Sequence, residues 1–307
     1  MNSLKTILVA VDFSPGSRAA LDQASRIARL QGSKLHVLHV VNSAAVATLA
    51  DARESGYEKQ AATAAEGARS ALTAWISHSQ IPDDTEAIIA VGTPLHEILH
   101  HVRTLQADLL VAGIAGAGLT PAGAGSVSAK LARKSPSRVL LVRSDHAHPF
   151  HKVVACVDYS DTAREVVAAA RRIAVKDSAS VDFLHVWQEP LFVSPYSDTL
   201  VGIGYPTVVF TPAERQAYVE GLRRELHEFV KDASQGIQAS EVLQEAPNSG
   251  NGIAAHAEEV RADLVIVGGK GRTNLRYVLM GSTAERLLTR LPCSVLVVKP
   301  AVENSPS

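Results

Sequence analysis

The segment ILVAVDFSPGSRAALDQA (7–24) returns in altered form as VVACVDYSDTAREVVAAA (153–170), with Asp12 over Asp158, 146 positions later. KLHVLHV (34–40) and SVDFLHV (180–186) match at the same shift. ADLLVAGIAG (107–116) and ADLVIVGGKG (262–271) match at a shift of 155, and SRVLLVR (137–143) and CSVLVVK (293–299) at 156. Order is kept throughout and the shift grows only at loops, so one unit of about 150 residues is written twice. The expected domains are residues 1–146 and 150–303, joined near the polar segment DHAHPFHK (145–152).

Within each unit, short β-branched apolar runs alternate with longer stretches of helical period. Ile7–Val11 is apolar throughout, as suits a parallel strand covered on both faces. Ser17–Leu30 then places Ala20, Leu21, Ala24, Ile27 and Ala28 on one stripe. The alternation runs on to Val139–Val142 and predicts about five strands and four helices per unit. Right-handed crossovers then make each unit a doubly wound, Rossmann-like sheet. The predicted fold is α/β, with two tandem five-stranded parallel sheets. Its ligand crevice lies beyond the carboxyl ends of the strands, where strand order reverses.

At 307 residues, 46% hydrophobic and 20% charged, the chain is long enough for two buried cores and is globular in composition. Thirty basic and 31 acidic side chains nearly cancel, which gives no electrostatic basis for a nucleic acid or an anionic membrane as partner. The apolar run before Asp12 is too short for a signal-peptide core, and no run approaches a membrane span, so the expected compartment is cytoplasmic. Cys156 and Cys293 do not suggest a disulfide framework, and Cys156, within a strand, reads as inert packing.

The most informative loop follows the fourth strand of the second unit, LVIVGGKGRTNLRYVLMGSTAERLL (264–288). Gly268 and Gly271 come directly after the strand, nine residues intervene, and Gly281-Ser282-Thr283 opens the next helix. Glycines let backbone approach a phosphate without a clashing side chain. The Ser282 and Thr283 amides fall at a helix N-terminus, which favours negative charge. Lys270, Arg272 and Arg276 add cationic reach. A glycine-rich turn with a serine cap explains the same letters without a ligand. The loop is neither a Walker A loop nor a G-x-G-x-x-G fingerprint.

Gly-x2-Gly-x9-Gly-Ser, after a first strand ending Val-Asp-x-Ser and a second ending Leu-His-Val, resembles the universal stress protein family. The likeness covers both units. It implies an α/β fold of the adenine-nucleotide α-hydrolase type, with ATP, alone or with Mg, in the switch-point crevice of some members. It implies that Asp158 contacts the ribose or adenine side and that the backbone around Val186 faces the adenine. Gly268, Lys270, Gly271, Gly281, Ser282 and Thr283 would wrap ribose and phosphates. A turn or helix-capping role for Asp158 stays open beside this. The resemblance also implies that Val139–Val142 and Val295–Val298 pair antiparallel about a pseudo-two-fold axis, closing a pseudo-dimer within one chain, with a homodimer as a further level of assembly.

The first unit departs from the pattern. Its loop AGIAGAGLTPAGAGSVSAKLA (112–132) keeps Gly113 and Gly116, but only eight residues precede Gly125-Ser126. Ala115 replaces Lys270, and no charged side chain occurs from Gly113 to Ala129. Asp12, Val40, Gly113, Gly116, Gly125 and Ser126 therefore form the weaker candidate site, and ATP is expected mainly in the second unit.

HEILH (96–100) spells the zinc-peptidase pattern, two histidines on one helical face with a glutamate between. It falls on a helix predicted over Pro94–Gln106 whose core stripe is Leu95, Ile98, Leu99, Val102 and Leu105, leaving His96, Glu97, His100 and His101 on the wet side. Asn251, Gly252 and Ala255 stand at the repeated positions, and between Val102 and Ser144 no His or Glu follows and Asp108, at the foot of the next strand, is the only carboxylate, so neither catalytic zinc nor any other metal is expected. Residues 187–211 hold five of the chain's 14 aromatic residues and read as a loop packed on a neighbour or serving as a lid. No nucleophile–base pair is visible, so no catalytic residue is expected. The reading is an ATP-binding regulatory or sensor protein of the stress response. A slow Mg-dependent ATP hydrolase using Ser282 and Asp158, and a nucleotide-free interaction scaffold, compete with it.

Overall fold

The computed structural model describes residues 4–114, 125–145, 147–189, 192–193, 207–208, 211–269, 282–289 and 293–299. The first unit runs β1 (Thr6–Val11), α1 (Pro15–Gln31), β2 (Lys34–Asn42), α2 (Ser43–Ala52), α3 (Tyr57–Ile76), β3 (Glu86–Gly92), α4 (Pro94–Thr104), β4 (Leu109–Gly113), α5 (Ser126–Lys134) and β5 (Arg138–Val142). The second runs β6 (Lys152–Cys156), α6 (Asp161–Asp177), β7 (Ser180–Trp187), β8 (Phe192–Val193), β9 (Thr207–Val208), α7 (Pro212–Ser234), β10 (Ala239–Glu245), α8 (Ser249–Glu259), β11 (Leu264–Gly268), α9 (Ser282–Thr289) and β12 (Ser294–Val298).

Local chemistry sets the boundaries. Ser14 and Ser160 cap α1 and α6, each accepting a hydrogen bond from the amide three residues on. Gly32 ends α1 in the left-handed region at φ 65°, the position where glycine is least strained. The first strand of each unit is tied at its foot by a carboxylate. Asp108 accepts from the Lys5 and Thr6 amides at 2.7 and 3.0 Å, and Asp263 from the His151 and Lys152 amides at 2.6 and 2.8 Å.

The first unit has five helices where four were expected. The extra one, α2, starts directly after β2, with Asn42 as its cap. Its place in the second unit falls in the aromatic stretch 187–211, where β8 and β9 pair antiparallel. Trp187 belongs to β7 and packs against Tyr218 of α7 at 5.8 Å, with the Arg215 guanidinium 5.5 Å from its ring centre. Tyr196, Tyr205 and Phe210 of that stretch lie outside the described residues.

The two expected five-stranded sheets are one. Strand order is β10-β7-β6-β11-β12-β5-β4-β1-β2-β3. Pairing is parallel within each unit, and β12 and β5 are antiparallel neighbours, Val295 opposite Leu141, Leu296 opposite Leu140 and Val297 opposite Val139. The order reads the same from either end, unit by unit, which places an approximate two-fold axis at this seam. Alternate strand residues fill two cores. One face carries α1, α3, α6 and α7 over residues such as Val9, Leu140, Val153 and Leu296; the other carries α4, α5, α8 and α9 over Leu8, Leu141 and Val295.

Across the seam Lys299 Nζ donates to the Ala132 carbonyl at 2.7 Å, and the Arg26 guanidinium holds Asp177 through two bonds of 2.6 and 2.9 Å. In the second unit Asp182, 4% exposed, accepts from Lys152 Nζ at 2.7 Å and His256 Nε2 at 2.9 Å. Burial opposes its ionisation, but these hydrogen bonds and charges outweigh burial and hold the carboxyl below the usual carboxylate range.

Leu296→Lys places an ammonium in the seam and should lower unfolding free energy by about 2–4 kcal/mol, while Leu296→Met should lose less than about 1.5 kcal/mol; denaturant midpoints distinguish the two. The Asp182 carboxyl binds its proton more weakly folded than unfolded. Its contribution is therefore full above the unfolded pKa of about 3.9 and fades as pH falls below it. Asp182→Asn should cost about 3 kcal/mol at neutral pH, and its stability should fall less steeply than wild type's on acidification, as read from urea midpoints across that range.

Candidate functional site

Strand order reverses between β1 and β4 in the first unit and between β6 and β11 in the second. Beyond β1 and β4 lies a cavity of about 330 Å³, within the range of small-molecule sites. It brings together Asp12, Val40, Gly113, Gly125 and Ser126, with Ile98 and Leu131 as apolar walls. Gly116 lies outside the described residues.

The loop after β1 is over-determined. Asp12 Oδ1 accepts the Ser14 amide at 3.1 Å, while the Asp12 amide donates to Ser17 Oγ at 3.3 Å. Phe13, between them, sits in the left-handed region at φ 64°. Such a conformation is strained for an aromatic residue and persists only where the surroundings hold it. The holder is His39, whose ring lies 4.4 Å from that of Phe13 and whose Nδ1 donates to the Val11 carbonyl at 2.9 Å. The second unit repeats the device. Tyr159 has φ 61°, lies 4.6 Å from His185, and His185 Nδ1 meets the Val157 carbonyl at 2.8 Å. Asp158 Oδ1 there accepts both the amide and the hydroxyl of Ser160, at 3.1 and 2.5 Å. Both aspartates thus serve the turn, and among the described residues Asp158 Oδ2 takes no hydrogen bond.

The opposite wall is a helix end. Gly125 precedes α5 with no side chain capping it, so the first-turn amides of α5 have neither an intrahelical acceptor nor a cap. Two hydrogen bonds pin this end to β4, Gly125 amide to Ile114 carbonyl and Ser128 Oγ to Gly113 carbonyl, each 2.8 Å. The shortened first-unit loop therefore still delivers its helix to the crevice. Gly113 answers to packing as well, because a Cβ there would stand 2.8 Å from the backbone carbon of Gly16.

In the second unit Gly268 ends β11 opposite Val298, and the Gly269 amide donates to the Val298 carbonyl at 2.7 Å. Ser282 opens α9 and Thr283 follows, half-buried, its carbonyl 3.3 Å from where a Cβ on Gly250 would sit. Gly250 thereby lets α8 close on α9. Val186 is half-buried and packs on Gly252, where a Cβ would come 2.8 Å from Val186 Cγ1. Lys270, Gly271 and Gly281 lie outside the described residues.

HEILH is a surface feature. His96 and His100 are exposed with ring centres 6.5 Å apart, and Glu97 folds back so that its Oε1 would meet a Cβ on Gly92 at 2.6 Å. Among the described residues no three His, Cys, Asp or Glu side chains are placed to hold a metal ion. Burial pushes the Cys156 thiol far up and that of Cys293 up to about 12, which leaves both protonated and unreactive. No helix among the described residues is long and apolar enough to cross a membrane.

The pattern that defines the universal stress protein family matches residues 3–143 and again 149–299. The chain belongs to the universal stress protein family. Universal stress protein YxiE of Bacillus subtilis is 28% identical over 151 residues, 49% of this chain and 99% of its own length. Universal stress protein MJ0531 of Methanocaldococcus jannaschii is 33% identical over 158 residues, 49% of this chain and 82% of its own. A universal stress protein structure from Archaeoglobus fulgidus shares the fold across both units, at TM-score 0.64 and 19% identity, covering 96% of this chain and 98% of that one. This chain is thus a tandem universal stress protein, two family units in one sheet.

The Phe13–His39 and Tyr159–His185 pairs escaped sequence reasoning as a site feature, although the 146-residue shift superposes aromatic on aromatic and histidine on histidine. Gly113→Ala should lose about 1–3 kcal/mol, because its methyl meets backbone that cannot swing aside; thermal unfolding beside Gly67→Ala, at a glycine with open space around it, measures the difference.

Proposed function

We propose that this tandem universal stress protein binds adenine nucleotide and acts as a regulatory module of the stress response rather than as a dedicated enzyme. The observation that carries the proposal is the uncapped N-terminus of α5, aimed into a crevice at the strand-order reversal and pinned there by two hydrogen bonds. Amides so placed suit a phosphate. In the first unit phosphates meet amide dipoles alone, since Gly113–Ala129 has no charged side chain. In the second, Lys270, Arg272 and Arg276 add charge in the sequence. ATP therefore binds more tightly to the second unit, through Gly268, Lys270, Gly271, Gly281, Ser282 and Thr283. The turn occupies one oxygen of Asp158 and leaves the other for a ribose hydroxyl, with Val186 toward the adenine. Asp12, Val40, Gly113, Gly116, Gly125 and Ser126 form the second, weaker pocket. Ser282 and Asp158 are the residues that would hold Mg, which when bound would supply countercharge to the phosphates. The units are residues 1–146 and 150–303, a covalent pseudo-dimer working in the cytoplasm.

Calorimetric titration with ATP tests the assignment. Wild type should show a tighter and a weaker phase. Gly281→Val should weaken the tighter phase at least 100-fold, and Gly125→Val should remove only the weaker. Equal losses in the two variants would refute the asymmetry, and absence of any ATP binding to wild type would refute the function.

A further inference from the structure

The cavity beyond β1 and β4 is small for its class, about 330 Å³ where small-molecule sites run from about 300 to 1,000 Å³. Among the described residues Asp12 is the one charged residue that lines it. Charges on the surrounding elements turn elsewhere or cancel between the units. The Arg18 guanidinium lies 3.7 Å from the centre of the Trp75 ring and donates to the Trp75 carbonyl at 2.9 Å. Glu97 folds back on Gly92. Lys130, exposed one turn into α5, has Arg286 as its counterpart on α9, 156 positions on, and Asp12 has Asp158. The difference that remains is in the loops, where Lys270, Arg272 and Arg276 of the second unit face no charged residue anywhere from Gly113 to Ala129.

The donors at the first crevice are few as well. The Gly125 amide is spent on the Ile114 carbonyl, and Ser128 Oγ on the Gly113 carbonyl. What is left at the start of α5 is the amides of Ser126, Val127 and Ser128. Such a set suits a single phosphate. A second and a third phosphate would gain no cation from this loop, and each would add negative charge near the Asp12 carboxylate, where like charges repel more strongly than in bulk water. In the second unit the same two phosphates would meet the loop cations and be attracted.

We propose, on the footing of the adenine-nucleotide reading above, that the two crevices sort nucleotides by phosphate number. The first takes a nucleoside monophosphate in preference to the triphosphate, and the second takes the triphosphate. One chain is then loaded by both the spent and the charged form of the same nucleotide, and its pattern of occupancy reports their ratio.

The test titrates the full chain with AMP and, separately, with ATP, in EDTA so that no metal masks the phosphate charge. Methyl resonances of Val40 and Ile98 report the first crevice and those of Val186 the second. At Val40 AMP should bind at least tenfold tighter than ATP, and at Val186 ATP should bind at least tenfold tighter than AMP. Val127→Lys adds a cation at an exposed position on the rim of the first crevice. It should raise ATP affinity at Val40 at least tenfold and leave both affinities at Val186 unchanged, with thermal unfolding showing that the variant is folded. ATP binding at Val40 as tightly as AMP, or silence at Val40 while ATP binds at Val186, would overturn the sorting and leave nucleotide binding by the second unit intact. Unchanged ATP affinity in folded Val127→Lys would overturn charge as its cause. No response to either nucleotide at either crevice would refute the nucleotide reading itself, and the sorting with it.

Discussion

The pairing of β5 with β12 is the constraint on which the rest of this molecule rests. Each strand is buried on both faces and would, in a lone unit, end its sheet with unpaired amides and carbonyls beside apolar side chains. Such an edge invites aggregation. Joining the two edges antiparallel satisfies the hydrogen bonds and continues both core layers without a break, so residues of the two units share one apolar cluster on each face. The polar contacts across the junction follow from that choice. Lys299 can reach the Ala132 carbonyl, and Arg26 can reach Asp177, only because the strands between them are already in register.

The crevice depends on a second, more local constraint, the turn after the first strand. An aromatic residue in the left-handed region costs on the order of 1–3 kcal/mol, and both units accept it. What they obtain is a fixed aspartate. The histidine of the neighbouring strand packs its ring at a tilt against the aromatic ring and ties down the last strand carbonyl, so the carboxylate stands at the mouth of the sheet on a rigid mount. Catalytic and binding groups gain most from such pre-organisation.

Much of the fold was legible in the residues, for identifiable reasons. Ile7–Val11 and Val139–Val142 have no polar alternation, which is what a strand covered on both faces looks like, and the repeat doubled every such observation. Helix α2 was missed because it lies where the shift between units changes from 146 to 155, so no second copy supported it. At the site, Asp12, Gly113 and Ser126 could be named from spacing, but their reasons could not. Gly113 is needed by the backbone of Gly16, which is remote in sequence, and the φ of Phe13 leaves no mark in its letter. The Arg26–Asp177 pair across the seam was invisible for the same reason, because it depends on register rather than on composition.

The antiparallel seam also gives the molecule a polarity of its own. Parallel strands within each unit all point one way, and the two units point in opposite ways, so the carboxyl ends of β1 and β4 emerge at one edge of the ten-stranded sheet and those of β6 and β11 at the other. The two crevices are therefore the opposite ends of a beam. A small partner seated over one mouth is blind to the other. Whatever occupies one crevice is kept from the other by the paired strands β5 and β12 between them.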